Sequence, residues 1–242
     1  MHAYVINLER SHDRRIYIQS ILGNVSDFSY EFVPAVDGRS LSESERSELF
    51  DVQKCENRYA KRIMPGEIGC TLSHQYCYRK LCNSQENYIL ILEDDIILKD
   101  KIDRYFVFFE ELMNVSKPRV LLLSGWVWFT SKKEIDSEIS IANVYDAFLT
   151  HSYLINKSAA KILVEDRPFI RADDWLYIRK KGIELYSIIP HLINQDWSGI
   201  LPSTLYVENP MLSGFFFSKL KIYSRILILK FLKLIGYFEV AE

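Results

Sequence analysis

No CxxC pair occurs among the four cysteines, and the spacings of Cys55, Cys70, Cys77 and Cys82 match neither a zinc ribbon nor a zinc finger, so they read as reduced thiols. Charge of one sign is also missing: 30 basic residues against 32 acidic ones give a net charge of -2. That balance argues against a chain whose main work is gripping a nucleic acid backbone, and no nucleic acid partner is expected. The opening MHAYVINLERSHDRR reaches charges before the apolar core of a signal peptide forms, which predicts a cytoplasmic protein. No internal repeat or low-complexity linker interrupts the chain. What is present is apolar content, 48% of 242 residues, enough to bury a sizeable core.

Strand-like and helix-like stretches alternate. AYVINL is a short β-rich run, followed by helical spacing at Ile16, Ile18, Ile21 and Leu22. FSYEFVPAVDG ends on a turn signal at Asp37-Gly38. Ser42, with Glu45 three residues on, gives a capping-box pattern ahead of a surface helix. PGEIGCTLSHQYCYRKLC opens on a Pro-Gly turn and continues as a helix with Ile68, Leu72, Tyr76 and Leu81 near one side. It leads to YILILEDDIIL, a buried strand over 88–98, then to a helix around 105–113, the strand RVLLLSG and the aromatic segment WVWF. The alternation predicts an α/β fold, with a mainly parallel central sheet and helices on both faces. One compact domain is expected over 1–205, with a helical tail over 206–242.

Three consecutive acids, Glu93, Asp94 and Asp95, stand between two aliphatic runs. Side by side in an apolar setting they cost several kcal/mol unless a cation or hydrogen bonds compensate. In open α/β sheets ligands bind at the carboxyl ends of strands, and carboxylates grouped there suit a hard divalent cation such as Mn2+ or Mg2+. The alternative is a solvated turn capping the next helix. Asp173-Asp174 in RADDWLY falls at a helix start, either as a cap or as a general base. Arg10, Arg14 and Arg15 follow the first strand and form either a phosphate clamp or a solvated face. His74 lies in an amphipathic helix, as a packing residue or a functional one. Clustered acids at a strand end also serve metal-dependent phosphohydrolases. A phospho-receiver-like signalling module is a third reading, but it would carry acids after its first strand, and VINL has none at its end.

Taken in order, VINLERSHDRR, PAVDG, PGEIGCTLSH, ILEDD, SYLINKSAAKIL, RADDWLY and PHLINQDWSGI resemble the family 25 glycosyltransferases, from about Tyr4 to Ile200. That family includes bacterial lipooligosaccharide galactosyltransferases and the domains that galactosylate collagen. The resemblance implies a GT-A type nucleotide-sugar-binding fold and transfer with inversion from UDP-galactose, usually assisted by Mn2+. In that picture Glu93-Asp94-Asp95 stands for the DxD element: Asp95 and Glu93 hold the metal, and Glu93 and Asp94 also serve the ribose or sugar. Asp173 or Asp174 would be the base, the family's greater uniformity at the first acid favouring Asp173. Asn7, Arg10 and Arg14 match the opening motif near the donor, Glu67, Ser73 and His74 the central one, and Gln195 and Ser198 the closing one.

FFFSKLKIYSRILILKFLKLIGYF, residues 215–238, puts Leu220, Tyr223, Leu227, Phe231 and Leu234 on one helical stripe, with Lys219, Lys221, Arg225, Lys230 and Lys233 away from it. A spanning helix needs about 20 apolar residues without such charges. The stretch is therefore expected to lie in the interface of an anionic membrane, the alternative being a core-packing helix. With the resemblance, this predicts an enzyme extending a lipooligosaccharide or lipopolysaccharide glycan, peripheral at the inner face of a bacterial inner membrane.

Overall fold

Alternating apolar side chains build a sheet buried on both faces. Along β1 (His2–Asn7), Ala3 and Val5 enter one hydrophobic layer while Tyr4 and Ile6 enter the other. The period of two that separates neighbours across a strand is repeated wherever a strand must be covered on both sides. The computed structural model describes residues 1–99, 102–195, 224 and 227–241. On the Ala3 side, α1 (His12–Leu22) contributes Ile18 and Leu22.

After β2 (Ser29–Pro34) come α2 (Glu43–Leu49), α3 (Val52–Tyr59) and α4 (Pro65–Asn83). The Ser42 capping box forms as its spacing predicts, the Ser42 hydroxyl accepting from the Glu45 amide and the Glu45 carboxylate from the Ser42 amide. Helix α4 departs from the single stripe expected of it. Its Ile68 and Leu72 pack with Phe50, Cys55 and Ile63, while its Cys77, Tyr78 and Leu81 face the sheet with Tyr4. Burial thus falls on different sides at the two ends, and Tyr76 is 50% exposed.

β3 (Tyr88–Glu93) alternates as β1 does, Ile89 and Ile91 in one layer and Leu90 and Leu92 in the other. It stops at Glu93. Asp94 and Asp95 turn the chain into β4 (Ile96–Leu98), which pairs with β10 (Ile193–Gln195) in a separate two-stranded sheet. The single strand expected over 88–98 is therefore two. α5 (Phe106–Met113) joins the Ala3 layer, and β5 (Arg119–Leu122), β6 (Trp126–Glu134), β7 (Ser140–Phe148) and β8 (Ser152–Asn156) follow. α6 (Lys157–Val164) and α7 (Trp175–Lys180) cover the Tyr4 face through Ala159, Ala160, Trp175 and Ile178. Burying a side chain the size of Ile178 contributes about 1.5–3 kcal/mol relative to exposure, and a methyl such as that of Ala159 less.

With β9 (Glu184–Ile189) and β11 (Glu239–Ala241), the described residues form a sheet ordered β11-β6-β7-β9-β5-β8-β3-β1-β2. β2, β1, β3, β5, β9 and β6 point one way, and β8, β7 and β11 the other. The sheet is mostly parallel in strand direction and carries helices on both faces.

In the tail, residues 227–234 are helical. Leu227, Phe231 and Leu234 are exposed there, at 66%, 59% and 84%, whereas Leu229 and, beyond the helix, Phe238 are buried. Residues 239–241, which the sequence assigns to the tail, pair with Val127–Phe129 as the edge strand β11. Leu220, Tyr223, Lys219, Lys221 and Arg225 lie outside the described residues. Among those described, no helix is long and apolar enough to cross a membrane.

Candidate functional site

Because β1, β2 and β3 run parallel and in register, their carboxyl ends deliver Asn7, residues 35–38 and the acids 93–95 to one edge of the sheet. That edge is where open α/β sheets place ligands. The start of α4 closes one side. A Cβ on Gly38 would collide with the Pro65 carbonyl, and one on Gly69 with the Val36 carbonyl, so only glycines allow the PAVDG turn and the helix to approach this closely. Ser73 ties the two together: it accepts from the Val36 amide at 2.8 Å and donates to the Gly69 carbonyl at 2.7 Å. Between them lies a pocket lined by Arg10, Arg14, Asp37, Cys70, Ser73, His74, Glu93 and Asp94, among others.

The three acids have different surroundings. Asp94 accepts from Asn7 Nδ2 at 2.7 Å and from Arg14 at 2.6 Å. Asp95 accepts from Gln195 Nε2 at 3.2 Å and has Arg14 at 3.4 Å. Among the described residues its buried Oδ1 has no hydrogen-bond partner, nor does Gln195 Oε1. Burial pushes the Asp94 carboxyl above its ordinary value, Arg14 and Asn7 offsetting it only in part. Burial and then the Glu93 charge do the same to Asp95, against His151, Arg14 and Gln195. Glu93 differs. Burial opposes its charge, but His74, His151 and the Thr150 hydroxyl outweigh that and hold it below the usual carboxylate range. Thr150 donates to Glu93 Oε1 at 2.6 Å, and His74 Nε2 lies 3.4 Å from the same oxygen.

The loop carrying Thr150 and His151 is tightly fixed. Leu149 sits at φ +76°, unusual for a branched side chain, and its carbonyl accepts from Trp175 Nε1 at 2.8 Å. The neighbouring Glu93 amide donates to the His151 carbonyl at 2.8 Å.

Of the arginines that the sequence offers as a phosphate clamp or a solvated face, Arg14 pairs with Asp94 and Asp95, Arg10 pairs with Asp37, and Arg15 lies over the Phe32 ring. Glu67 accepts from the Met64 amide at 2.8 Å at the start of α4 and faces Arg171 at 3.6 Å. Asp174 is the cap of α7, accepting from the Tyr177 amide, and it also accepts from Arg58 at 2.7 Å and from the Tyr59 hydroxyl at 2.6 Å. Asp173 beside it is 26% exposed in its side chain, with Arg171 at 3.9 Å, and its charge reaches the Cys70 thiol on the pocket wall. Ser198 lies outside the described residues.

Sequence reasoning passed over Cys70, Thr150, His151, Arg58 and Tyr59. A signal existed for Cys70, one helical turn before His74. No periodicity announces Thr150 and His151 in a short loop, and Arg58 and Tyr59 reach Asp174 across 116 and 115 residues.

Three relatives set this geometry in context. A "Glycosyltransferase 25 family member" of Aedes aegypti is 30% identical over 226 residues, covering 85% of this chain and 35% of that protein. A "Putative glycosyltransferase" of Haemophilus influenzae is 27% identical over 226 residues, 88% of this chain and 74% of that one. Human "Procollagen galactosyltransferase 2" is 27% identical over 177 residues, 69% of this chain and 28% of that one. The chain thus spans about a third of the mosquito protein's length. The family description "Glycosyltransferase family 25 (LPS biosynthesis protein)" matches residues 1–174, which include every described candidate residue except Gln195, and the chain belongs to glycosyltransferase family 25.

Proposed function

We propose that this glycosyltransferase is an inverting, divalent-cation-assisted enzyme that moves galactose from UDP-galactose to a lipooligosaccharide-type glycan in β-linkage. The observation that carries the reading is the buried Asp95 Oδ1, without a hydrogen-bond partner among the described residues, on a carboxylate bonded to Gln195, whose own Oε1 is equally bare. An acceptor oxygen left bare inside a protein costs about 1–3 kcal/mol, and a cation removes that cost. Asp94 and Asp95 bring two carboxylates against the Arg14 guanidinium, and burial leaves both above their ordinary values. The oxygen-rich set fits Mn2+ or Mg2+. Asp95 and Gln195 would hold such an ion, which when bound supplies positive charge to a diphosphate leaving group.

Around that point the chain's own residues divide the work. Asn7 and Arg14 fix Asp94, so the acid loop is held before any ligand arrives. Inversion needs one base opposite the leaving group, and Asp173 suits it: partly exposed, and not committed to capping as Asp174 is. The Asp173 carboxylate would take the acceptor hydroxyl's proton as the glycosidic bond forms.

The family description names lipopolysaccharide biosynthesis, and the human relative's name points to procollagen. The tail favours the glycolipid. Leu227, Phe231 and Leu234 are exposed apolar side chains on a helix that also carries Lys230 and Lys233, the composition of a segment lying in an anionic interface. The same proposal sets the enzyme at the inner face of a bacterial inner membrane. A screen of UDP-sugars for turnover, with and without Mn2+, tests the reading. UDP-galactose should be consumed only with the cation, and Asp95→Asn should abolish turnover and weaken Mn2+-dependent UDP binding. Full activity in that variant, or hydrolysis of simple phosphomonoesters instead, would overturn it.

A further inference from the structure

Behind the acid loop, three side chains from two elements converge. Cys70 and His74 lie one turn apart on α4, and Glu93 ends β3. A sulfur, an imidazole nitrogen and a carboxylate oxygen from these three lie within 4.8 Å of one another, and all three residues line the pocket. This is a different donor set from the oxygens of Asp95 and Gln195. Sulfur and imidazole select borderline-soft ions, zinc above all, whereas Mn2+ and Mg2+ take oxygen.

The imidazole is arranged for such a role. His74 is 1% exposed, and its Nδ1 lies 2.8 Å from the Tyr153 hydroxyl, itself 2.7 Å from the Tyr78 hydroxyl. In the tautomer whose Nδ1 donates to Tyr153, Nε2 presents its lone pair to the site; in the other, Nε2–H faces Glu93, and a cation would take the place of that proton. Among the described residues no well-formed hydrogen bond reaches Nε2, and Glu93 Oε1 lies 3.4 Å from it. A histidine whose far nitrogen is fixed by an outer hydrogen bond and whose near nitrogen is bare is the form a metal ligand takes. The Thr150 hydroxyl donates to that same Glu93 oxygen at 2.6 Å and orients the carboxylate.

We propose that Cys70, His74 and Glu93 form a zinc-type cation site in the wall of the pocket, distinct from the oxygen site at Asp95. Three protein ligands leave the fourth tetrahedral position to the pocket, as in exchangeable rather than closed structural sites. Binding converts the Cys70 thiol to a thiolate, the proton leaving to solvent. The site does not depend on which sugar or acceptor the enzyme uses.

Cobalt(II) serves as the probe, because it takes zinc sites and reports its ligands by absorption. On addition of Co2+ the purified protein should develop a sulfur-to-metal charge-transfer band in the near ultraviolet, whatever Co2+ also enters the oxygen site, and one equivalent of Zn2+ should remove the band. Cys70→Ser should abolish it, and His74→Gln should weaken Zn2+ binding by calorimetry at least about tenfold. Asp95→Asn should leave both readings unchanged. Thermal unfolding confirms that each variant is folded, Cys70→Ala replacing any serine variant that is not. No sulfur band in the wild type, a band that survives loss of Cys70, or one that disappears with Asp95→Asn would each overturn the proposal.

Discussion

Asp173 and Asp174 are neighbours with different duties. The sequence shows two acids at a helix start and leaves cap and base open for both. The fold separates them by bringing Arg58 and Tyr59 to Asp174 alone, contacts too distant along the chain for any local pattern to reveal. Removing Asp174 leaves the half-buried Arg58 and Tyr59 without this partner and uncaps α7. Since Arg58 keeps some contact with solvent, Asp174→Ala should cost about 2–3 kcal/mol in urea unfolding. Asp173→Asn should leave that midpoint within about 0.5 kcal/mol while transfer collapses. The thiols give a second prediction at this scale. Burial pushes Cys55 up from 9.0 to about 12, so it should resist alkylation at pH 8 until denaturant is added. Its folded value lies above its unfolded one, so its contribution to stability is complete below pH 9.0 and is lost as pH rises towards about 12.

Helix α4 and the strand it precedes show how far patterns of one element can be read. The aliphatic run YILIL is plain in the sequence, and β3 forms over it. The end of that strand is hidden because it is set by partners elsewhere: Asn7 and Arg14 hold Asp94 out of line, and the chain turns. α4 was legible as a helix but not in its burial, since two unrelated layers press on its two ends. Gly69 tests that packing. Within a helix, alanine should gain about 1 kcal/mol over glycine. Here the added methyl meets the Val36 carbonyl, so Gly69→Ala should instead destabilise by about 1–3 kcal/mol. Loss of melting temperature by calorimetry checks the sign, and a stabilised variant would show that the PAVDG turn yields easily.

At the scale of the whole molecule, the sequence predicts alternating elements, helices on two faces and a site at the strand ends. The strand order was not legible, because β8 inserts between β3 and β5 from far along the chain. Nor was the return of the last residues to the sheet, since EVA is too short to carry a pattern. That return shapes the membrane prediction. Truncating the tail would also strip β6 of β11, one of its two neighbours, so Leu227→Ser, Phe231→Ser and Leu234→Ser together are the cleaner change. Partitioning onto anionic vesicles should fall at least about tenfold with unfolding unaltered; unchanged partitioning would show that the helix does not touch lipid. The edge strand has one more consequence. Four residues separate Leu234 from β11, a reach of at most about 17 Å even when extended. A bilayer gripping that helix would be strapped to the sheet instead of leashed by a free tail, so the enzyme would meet its surface in one fixed attitude, with its catalytic rim at a constant height above the lipid.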